Sequence, residues 1–404
     1  MERHDWVVLG AGISGASLAA AAARSGASVL VLEAQPHPGG SLASVSRPND
    51  AWFELGAHTA YNSYRSFVSA LEASPAPPTW VPRGPSILRL LDGDRVLPGK
   101  NLGLLARRLG KLELLRAVPR WLGNRPDGRT VREYYGRIVG ARNFDRVLSP
   151  ILSAVPSQRA DNFPAEMLFK RRERRADVPK SFTLPGGLGT AVELLLANRG
   201  IEVRTRFQAR SVERIPGGGF RVRSADGHAV EARHLAFALA PRTTSRLIEP
   251  LAPTASALAA GIAQVELHSI GLSLPSDATR LPAATFLIPL ADSFHSIVTR
   301  DPVPHPDRRA FTFHFRPDVS DSACRERIAR ILGVPWERLS ELADVRERRT
   351  SLPSPVLGHA DRIAEFDRRI AGEDFAVTGN WFAGLSIEDC VLRSASEWRR
   401  IGER

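Results

Sequence analysis

One short stretch near the N-terminus constrains the fold more than any other feature of the chain. The glycine-rich turn Gly10–Gly15 follows the apolar run Trp6–Leu9 and opens an alanine-rich stretch that extends to Arg24. The glycines permit a tight turn with close backbone approach, and the start of the following helix attracts a pyrophosphate. A second apolar run ends at Glu33, where an acidic side chain can accept hydrogen bonds from an adenosine ribose. The sequence therefore predicts a β-α-β nucleotide-binding unit, which suits NAD and FAD alike.

The composition narrows the class of protein. With 404 residues, 43% hydrophobic and 24% charged, the chain has room for two domains and is neither disordered nor collagen-like. Its two cysteines, Cys324 and Cys390, lie far apart, which disfavours a disulfide framework and a thiolate metal site. The histidines lack metal-ligand spacing, and the apolar stretch 16–23 is too short to span a bilayer. We predict no metal site and a cytoplasmic protein.

The positive charge is carried almost entirely by arginine. The net charge is +12, and lysine occurs only at positions 100, 111, 170 and 180. A basic face attracts anionic substrates, membranes or nucleic acid. We interpret most of this charge as spread over solvated surfaces, and we predict no nucleic-acid partner. The run Lys170–Arg175 is interpreted as a solvated helix face, with substrate carboxylates or lipid phosphates as the alternative contacts.

Five further stretches carry a resemblance to a known group. Gly39-Gly40 follows Glu33, and the other stretches are Phe53–His58, Phe182–Thr190, His234–Pro241 and Thr378–Cys390. With the N-terminal turn, they resemble the FAD-binding flavoproteins of the amine oxidase, phytoene desaturase and protoporphyrinogen oxidase superfamily. The sequence Thr-Gly-Asn-Trp-Phe-Ala-Gly-Leu-Ser-Ile-Glu-Asp-Cys is most similar to the C-terminal flavin motif of protoporphyrinogen oxidases.

The resemblance implies noncovalent FAD. The implied cofactor contacts are Gly10, Ala11, Gly12, Ile13, Ser14, Gly15, Glu33, Ala34, Gly39, Gly40, Ser41, Leu42, Gly56, Ala57, His58, Ala209, Gly379, Asn380, Leu385, Ser386 and Ile387. Gly379 and Asn380 would lie along the pyrophosphate and ribityl chain. The amides of residues 385–387, at a helix start, would face the isoalloxazine N1 and C2 carbonyl, where reduction builds negative charge. The stretch Val203–Val212 matches the strand that addresses the adenine, with Ala209 at the contact.

Departures from the family pattern sharpen these expectations. Ser41 stands where an arginine commonly follows the double glycine, so one pyrophosphate contact is absent or supplied elsewhere. No covalent attachment motif is present, and Cys390 lies inside the helix motif, which disfavours covalent flavin. Paired aromatics of an amine-oxidase cage are not evident, although Trp381 and Phe382 are close to the flavin motif. Amine oxidation is therefore disfavoured.

His58 is the one candidate catalytic residue. It follows Gly56-Ala57 and by the resemblance lies beside the flavin, where it would orient the substrate or act as a base. A packed residue that holds the loop is the competing interpretation. Tyr61 and Tyr64 are weaker candidates of the same kind.

The expected fold class is α/β. We predict a Rossmann-type, glutathione-reductase-like FAD-binding domain with an inserted α+β substrate domain that contains an antiparallel sheet and a helical subregion. The predicted boundaries are 1–75, 181–245 and 351–404 for the FAD-binding domain, 76–180 for the helical substrate region, and 246–350 for the substrate sheet.

The expected function is an FAD-dependent oxidoreductase that resembles protoporphyrinogen oxidase. Hydride would pass from a small-molecule substrate to flavin N5, and oxygen or a quinone would be the second acceptor. Residues 146–169 resemble the helical part that borders the substrate cavity in this group, which implies a bulky, largely apolar substrate. The alternatives are a desaturase or cyclase of secondary or terpenoid metabolism, a non-redox flavoenzyme similar to sugar-nucleotide mutases, and a flavin-free binding protein. Peripheral membrane contact and the oligomeric state stay open.

Overall fold

The computed structural model describes residues 2–46 and 51–402. Its helices are α1 Ile13–Arg24, α2 Arg65–Glu72, α3 Asn101–Arg108, α4 Lys111–Ala117, α5 Val131–Val139, α6 Ala141–Asn143, α7 Ser149–Ala154, α8 Ala165–Leu168, α9 Thr190–Leu196, α10 Pro241–Ile248, α11 Pro253–Ala260, α12 Asp321–Leu332, α13 Trp336–Leu342, α14 His359–Ile370 and α15 Ile387–Gly402. Shorter helical turns cover Val118–Arg120, Phe144–Leu148 and Ser276–Ala278.

The strands fall into two large sheets and two small ones. They are β1 Arg3–Leu9, β2 Val29–Leu32, β3 Ser44–Ser46, β4 Trp52–Glu54, β5 Ala60–Tyr61, β6 Val81–Pro82, β7 Leu88–Asp92, β8 Arg95–Val96, β9 Ser181–Thr183, β10 Ile201–Arg204, β11 Ala209–Arg214, β12 Phe220–Ser224, β13 Ala229–Phe237, β14 Gln264–Pro275, β15 Phe286–Pro289, β16 Phe294–Thr299, β17 Arg308–Phe315, β18 Asp344–Pro353 and β19 Phe375–Val377.

The first large sheet is assembled from three separated parts of the chain. Its order is β10-β2-β1-β13-β12-β11, and β19 also pairs with β13. The pairs between β10, β2, β1, β13 and β19 are parallel, whereas β11 and β12 are antiparallel. Helices cover both faces, which explains why residues 6–9 of β1 and all of β2 are consecutive apolar residues rather than alternating ones. This is the Rossmann-type, α/β arrangement that the sequence predicts.

The second large sheet has the order β18-β14-β17-β16-β15-β7-β8 and is called the substrate sheet below, after its predicted role. One face packs Phe311, Phe313 and Phe315 of β17 against α12. Because side chains alternate along a strand, Thr312 and His314 lie on the opposite face. There the hydroxyl of Thr312 donates to the carbonyl of Glu54, at 2.7 Å, so this face meets the chain segment that follows the nucleotide-binding unit.

Three details of the sequence prediction are corrected by the fold. The stretch Val203–Val212 is not one strand, because the chain turns at Arg206, with φ of 59°, between β10 and β11. The substrate sheet is not wholly antiparallel, because β7 pairs with β15 in parallel and comes from the region expected to be helical. The basic run 170–175, expected on a helix, is not helical. No helix within the described ranges is long and apolar enough to cross a membrane.

Candidate functional site

The glycine turn keeps an open position at the start of α1. A Cβ atom on Gly10, whose φ is +100°, would lie 2.5 Å from the carbonyl oxygen of Ala238, and one on Gly15 would lie 1.9 Å from the carbonyl oxygen of Gly10. Packing alone therefore requires glycine at both positions. A Cβ on Gly12 would meet only the backbone of Gly40, at 3.5 Å, an ordinary contact. The absence of a side chain at Gly12 thus leaves space beside the helix N-terminus, where an anion is stabilised.

Glu33 lies at the end of β2 and points back to this turn. Its carboxylate accepts hydrogen bonds from the amides of Ala11 and Gln35, both at 2.8 Å. The amide of Gly39 donates to the carbonyl of Ala11 at 2.9 Å. The double glycine therefore lies directly against the turn. Of the neighbouring candidates, Ala34 is exposed and Leu42 is buried.

The same segment connects to the loop that carries His58. The amide of Ala57 donates to the carbonyl of Ser41 at 3.0 Å. A Cβ on Gly56 would lie 2.1 Å from that carbonyl oxygen, so only glycine fits there. The backbone thus forms one continuous surface that leads away from the glycine turn. This surface consists of Gly40, Ser41, Gly56, Ala57 and His58.

The C-terminal motif meets the N-terminal one. The hydroxyl of Ser394, on α15, donates to the carbonyl of Ser14 at 2.8 Å and contacts the hydroxyl of Thr378 at 2.9 Å. Gly379 and Ile387 are buried, and the intervening candidates Asn380, Leu385 and Ser386 are partly buried. The structure therefore brings residues from the two ends of the chain together around α1, with Ile13 and Ile387 in one apolar cluster.

Ala209, the candidate adenine contact, is connected to the Glu33 side of the site. It begins β11, two positions after Phe207, whose amide donates to the carbonyl of Glu33 at 2.9 Å. Trp381 and Phe382, which are close to the flavin motif in sequence, are buried. They stack on each other with ring centroids 3.9 Å apart and pack against Phe366 in the core, so they do not form a cage at a cavity.

His58 is the end of a chain of polar side chains in the substrate sheet. Its Nε2 lies 2.9 Å from Nε2 of His314, and Nδ1 of His314 lies 2.9 Å from Oγ of Ser269. Burial holds the pKa of His58 well below its usual range, and the neighbouring His314 and Arg83 act in the same direction. Burial, assisted by His295, lowers the pKa of His314 to about 3. Both imidazoles are therefore neutral at pH 7.

Arg83 and Glu54 accompany this histidine pair, and sequence reasoning missed both. Burial lowers the pKa of Arg83, while the charge of Glu54 and the phenol of Tyr61 oppose the shift. Burial likewise raises the pKa of Glu54, against the attraction of Arg83. The Nη2 of Arg83 is buried and has no hydrogen-bond partner among residues 2–46 and 51–402. A buried donor without a partner is unfavourable and indicates a place for an acceptor from outside the chain.

The basic run is largely exposed, as expected, but it is not a helix face. Residues 170–175 are not helical, and Nζ of Lys170 and Nη2 of Arg172 each lie 2.8 Å from Oδ1 of the buried Asp389. Lys170 also donates to the carbonyl of Ala383 at 2.5 Å. Burial would raise the pKa of Asp389, but hydrogen bonds from Lys170 and Ser386 outweigh it, and the pKa is lowered. Two residues of the basic run therefore fix the start of α15.

The weaker candidates Tyr61 and Tyr64, and Cys390 of the helix motif, are all protonated. Burial raises the pKa of Tyr64 and of Tyr61, so both phenols stay protonated at neutral pH. Arg172 lies over the ring of Tyr64, 5.8 Å from its centroid. Burial raises the pKa of the Cys390 thiol to about 12, which keeps it protonated and unreactive towards a flavin.

Comparison with known proteins places this geometry in a structural class. The family model of an NAD(P)-binding Rossmann-like domain matches residues 8–71, and none of the curated proteins matches the chain. The structure is similar to that of a provisionally named protoporphyrinogen oxidase from Exiguobacterium sp. 255-15, with a TM-score of 0.78, 18% identity, and coverage of 100% of this chain and 99% of that one.

Two other solved structures share the fold. A reduced UDP-galactopyranose mutase has a TM-score of 0.73 at 15% identity, covering 99% of this chain and 96% of that one. The cyclohexylamine oxidase from Brevibacterium oxydans IH-35A has a TM-score of 0.67 at 15% identity, with 99% of each chain covered. The fold is therefore the one shared by amine oxidases and protoporphyrinogen oxidases, as the sequence motifs predicted.

Proposed function

We propose that the chain is an FAD-dependent oxidoreductase that acts on a bulky, largely apolar substrate. The observation that carries this proposal is the meeting of the two end motifs at α1, where Ser394 bonds the backbone of Ser14 and Glu33 bonds the amide of Ala11. An open position at Gly12 lies between them. A pyrophosphate fits this site because helix N-termini stabilise anions and no side chain fills the space.

The cofactor contacts proposed here follow the surface described above. The turn 10–15 would hold the pyrophosphate, Glu33 the adenosine ribose and Ala209 the adenine. Residues 379–380 would lie along the ribityl chain, and the amides of residues 385–387 would face the flavin ring at the N-terminus of α15. When bound, FAD supplies a two-electron acceptor for hydride removal from the substrate. The N-terminus of α15 favours negative charge at that place.

The substrate side is proposed to be formed by His58, His314 and Arg83. Because burial disfavours a charged imidazole, neutral His58 would orient the substrate through a hydrogen bond, and its contact with His314 and the hydrogen bond between His314 and Ser269 fix its own orientation. The partnerless Nη2 of Arg83 would donate to a substrate carboxylate. A partly reduced tetrapyrrole with acidic side chains combines the apolar body and the carboxylates that this arrangement accommodates.

The first test is the absorption spectrum of the purified protein before and after denaturation. Flavin bands that become free FAD on denaturation support noncovalent binding. Bleaching on anaerobic addition of protoporphyrinogen supports the tetrapyrrole substrate, and the rate of recolouring with oxygen or with a quinone identifies the acceptor. Flavin without bleaching excludes that substrate and favours a desaturase or cyclase of another polycyclic or polyene compound. A colourless protein that cannot be reconstituted with FAD overturns the proposal and leaves a binding protein on this fold.

The fold shared with UDP-galactopyranose mutase supports one non-redox candidate. In that case turnover would require flavin that has been reduced beforehand, and the substrate itself would not bleach the oxidised protein. Measuring product formation with oxidised and with dithionite-reduced protein separates the two functions. Activity only in the reduced form, with no net consumption of reductant, favours the mutase-type reaction.

We also propose that the protein contacts anionic membranes through one exposed apolar surface. The docking stripe consists of Leu112, Leu115, Val118, Trp121 and Leu122, whose side chains are 45% to 89% exposed. Leu112, Leu115 and Val118 are three residues apart and share one face of α4 and the helical turn Val118–Arg120, and Trp121 and Leu122 continue the stripe directly after that turn. The exposed basic residues around it are Arg107, Arg108, Lys111, Arg116, Arg120 and Arg125. An apolar face bordered by cations is complementary to an anionic lipid surface.

A cavity beside the docking stripe strengthens this assignment. It has a volume of 480 Å³ and is lined by Arg120, Arg129, Arg132 and Arg137, with Glu133 as the one acidic lining residue. Such a cluster of arginines suits a lipid phosphate. Delivery of an apolar substrate from a bilayer would agree with the substrate class proposed above.

Vesicle sedimentation tests the docking stripe. We expect binding to phosphatidylcholine vesicles that contain phosphatidylserine, weaker binding to phosphatidylcholine alone, and loss of binding in the Leu112→Glu/Leu115→Glu variant. The matched control is Val356→Glu/Leu357→Glu, which alters an exposed apolar pair of 47% and 44% exposure elsewhere on the surface. Equal sedimentation of the wild type and the stripe variant would exclude this surface as the membrane contact.

A further inference from the structure

The side chain of Arg348 extends from the substrate sheet to the double glycine Gly39-Gly40. On β14 and β18, Ser269 lies directly opposite Arg348, and on β17 His314 lies opposite Ser269. Directly paired residues share one face of a sheet. This row of three side chains therefore runs across the face on which His314 meets His58. At its far end Nη1 of Arg348 donates to the carbonyl of Gly40 at 2.6 Å.

The charge of Arg348 has no close counter-charge. The neighbouring arginines on β18 both form ion pairs, Arg346 with Asp344 at 2.9 Å and Arg349 with Asp321 at 2.7 Å. Arg348 has no carboxylate oxygen within 4.0 Å in the part of the chain that the structure describes. Burial lowers its pKa, while the charge of Glu33 acts in the opposite direction.

A guanidinium stays charged even when it is partly buried. Removing such a charge from water without a counter-charge is unfavourable, so the arrangement is best explained by an anion that arrives from outside the chain. The position of the Arg348 guanidinium indicates which anion this is. It lies on the double glycine that packs against the glycine turn, and it is close enough to Glu33 for their charges to interact.

The nucleotide-binding segments themselves supply no cation. Neither the turn 10–15 nor the stretch 33–46 contains lysine or arginine, and Ser41 occupies the position after the double glycine. A pyrophosphate bound there would meet backbone amides but no positively charged side chain from these segments. Arg348 of the substrate sheet brings a positive charge to the double glycine.

We propose that Arg348, from the substrate sheet, contacts the pyrophosphate of FAD. It would take the role of an arginine at position 41, where this chain has serine. This inference rests on the FAD function proposed above. Arginine suits the role because its planar fork binds phosphate oxygens in pairs. The cofactor would then join the two large sheets through one charged contact.

Ligand affinity tests this inference without any need for activity. The variants are Arg348→Gln and, as a control of equal charge change, Arg349→Gln on the exposed side of the same strand. We expect Arg348→Gln to weaken FAD and ADP by about 30-fold or more, as for other partly buried charge pairs, and to leave adenosine unchanged. Arg349→Gln should bind all three ligands like the wild type. Flavin fluorescence gives the FAD affinity, and titration calorimetry gives those of ADP and adenosine.

The comparison of ADP with adenosine separates a phosphate contact from a structural role. If adenosine weakened as much as ADP, Arg348 would act on the fold of the whole site and not on the phosphates, and the inference would be overturned. Unchanged FAD and ADP affinity in Arg348→Gln would overturn it as well, while the FAD function itself would stand. Failure of the wild-type protein to bind FAD would instead remove the proposed function. Restored ADP affinity in Ser41→Arg/Arg348→Gln would support the replacement directly, and Arg348→Met is the alternative variant if the glutamine form does not fold.

Discussion

Gly12 and Gly15 belong to one turn but are glycine for different reasons. A Cβ on Gly15 would collide with the carbonyl of Gly10 at 1.9 Å, so the fold excludes any other residue there. At Gly12 a Cβ would lie 3.5 Å from Gly40, and the backbone has an ordinary φ of −79°. A substitution at Gly12 therefore leaves the fold intact and tests the ligand alone.

We expect Gly12→Asp to abolish FAD binding without unfolding the protein. Its carboxylate would stand beside the pyrophosphate, and two charges about 4 Å apart repel by about 4 kcal/mol at an effective dielectric constant of about 20. That corresponds to an affinity loss of about a thousandfold. The measurement is bound flavin per chain, together with the thermal midpoint.

Gly103→Asp is the matched control, because Gly103 is exposed and a Cβ there has open space. It adds the same charge far from the turn and should retain wild-type flavin content. Full flavin content in a folded Gly12→Asp protein would contradict the placement of the pyrophosphate.

The buried histidines make the free energy of unfolding decrease as the pH falls. His314 has a folded pKa of about 3 and His295 of about 4, both lowered mainly by burial, against a usual value of 6.5. In each case the unfolded state binds protons first as the pH falls, so stability is lost below pH 6.5 and the loss continues towards the folded pKa. Each such histidine lowers the free energy of unfolding by about 2 kcal/mol between pH 7 and pH 5.

We therefore expect His314→Gln to reduce this acid loss by about 2 kcal/mol. Glutamine preserves a hydrogen bond towards Ser269 but does not titrate. Urea unfolding at pH 7 and pH 5 measures the difference, with the exposed His228→Gln as a control that retains the wild-type loss. An unchanged pH dependence in His314→Gln would show that this histidine is not the buried, neutral group described here.

At the scale of elements, the start of α15 depends on a charge cluster that is distant in sequence. Asp389 is 7% exposed, and its partners Lys170 and Arg172 are 29% and 20% exposed. Because both cations keep some contact with solvent, the loss on Asp389→Asn is expected below that of a fully buried pair, at about 2 to 3 kcal/mol. Urea unfolding at pH 7 measures it.

Glu173→Gln provides the comparison within the same basic run. Glu173 pairs with Arg65 but is 83% exposed, so its loss should stay within about 0.5 kcal/mol. Since the folded pKa of Asp389 is lowered, its contribution is present above pH 3.8 and is lost as the pH falls through the folded value. Equal, small effects of the two substitutions would show that the cluster does not fix α15.

Elements with a local signal could be predicted from the sequence, and contacts between distant elements could not. The strand, turn and acid around Gly12 and Glu33 lie within one β-α-β unit, so their spacing determines their contacts. His314 meets His58 across 256 positions, and that contact depends on the register of β14, β17 and β18. Arg83 and Arg348 likewise lie in stretches without a motif. The contact of Lys170 and Arg172 with Asp389 could not be predicted because Asp389 is on the last helix.

At the scale of the whole molecule, the first sheet cannot be completed by any single part of the chain. β1 and β2 come from the N-terminal part, β10 to β13 from the middle and β19 from the C-terminal part. The proposed cofactor contacts come from the same three parts, and Arg348 would add the substrate sheet to them. Unfolding of any one part should therefore destroy the FAD site.

This coupling predicts that FAD release and unfolding coincide. Excess FAD at about 100 times its dissociation constant should raise the free energy of unfolding by about 2.7 kcal/mol, since the ligand binds only the folded state. In urea, the rise of flavin fluorescence and the loss of near-ultraviolet circular dichroism should share one midpoint, and that midpoint should increase with FAD concentration. In Arg348→Gln, more FAD should be needed for the same increase. Flavin release at a lower urea concentration than the loss of tertiary structure would mean that the cofactor site opens independently, and that the three parts of the chain do not act as one unit.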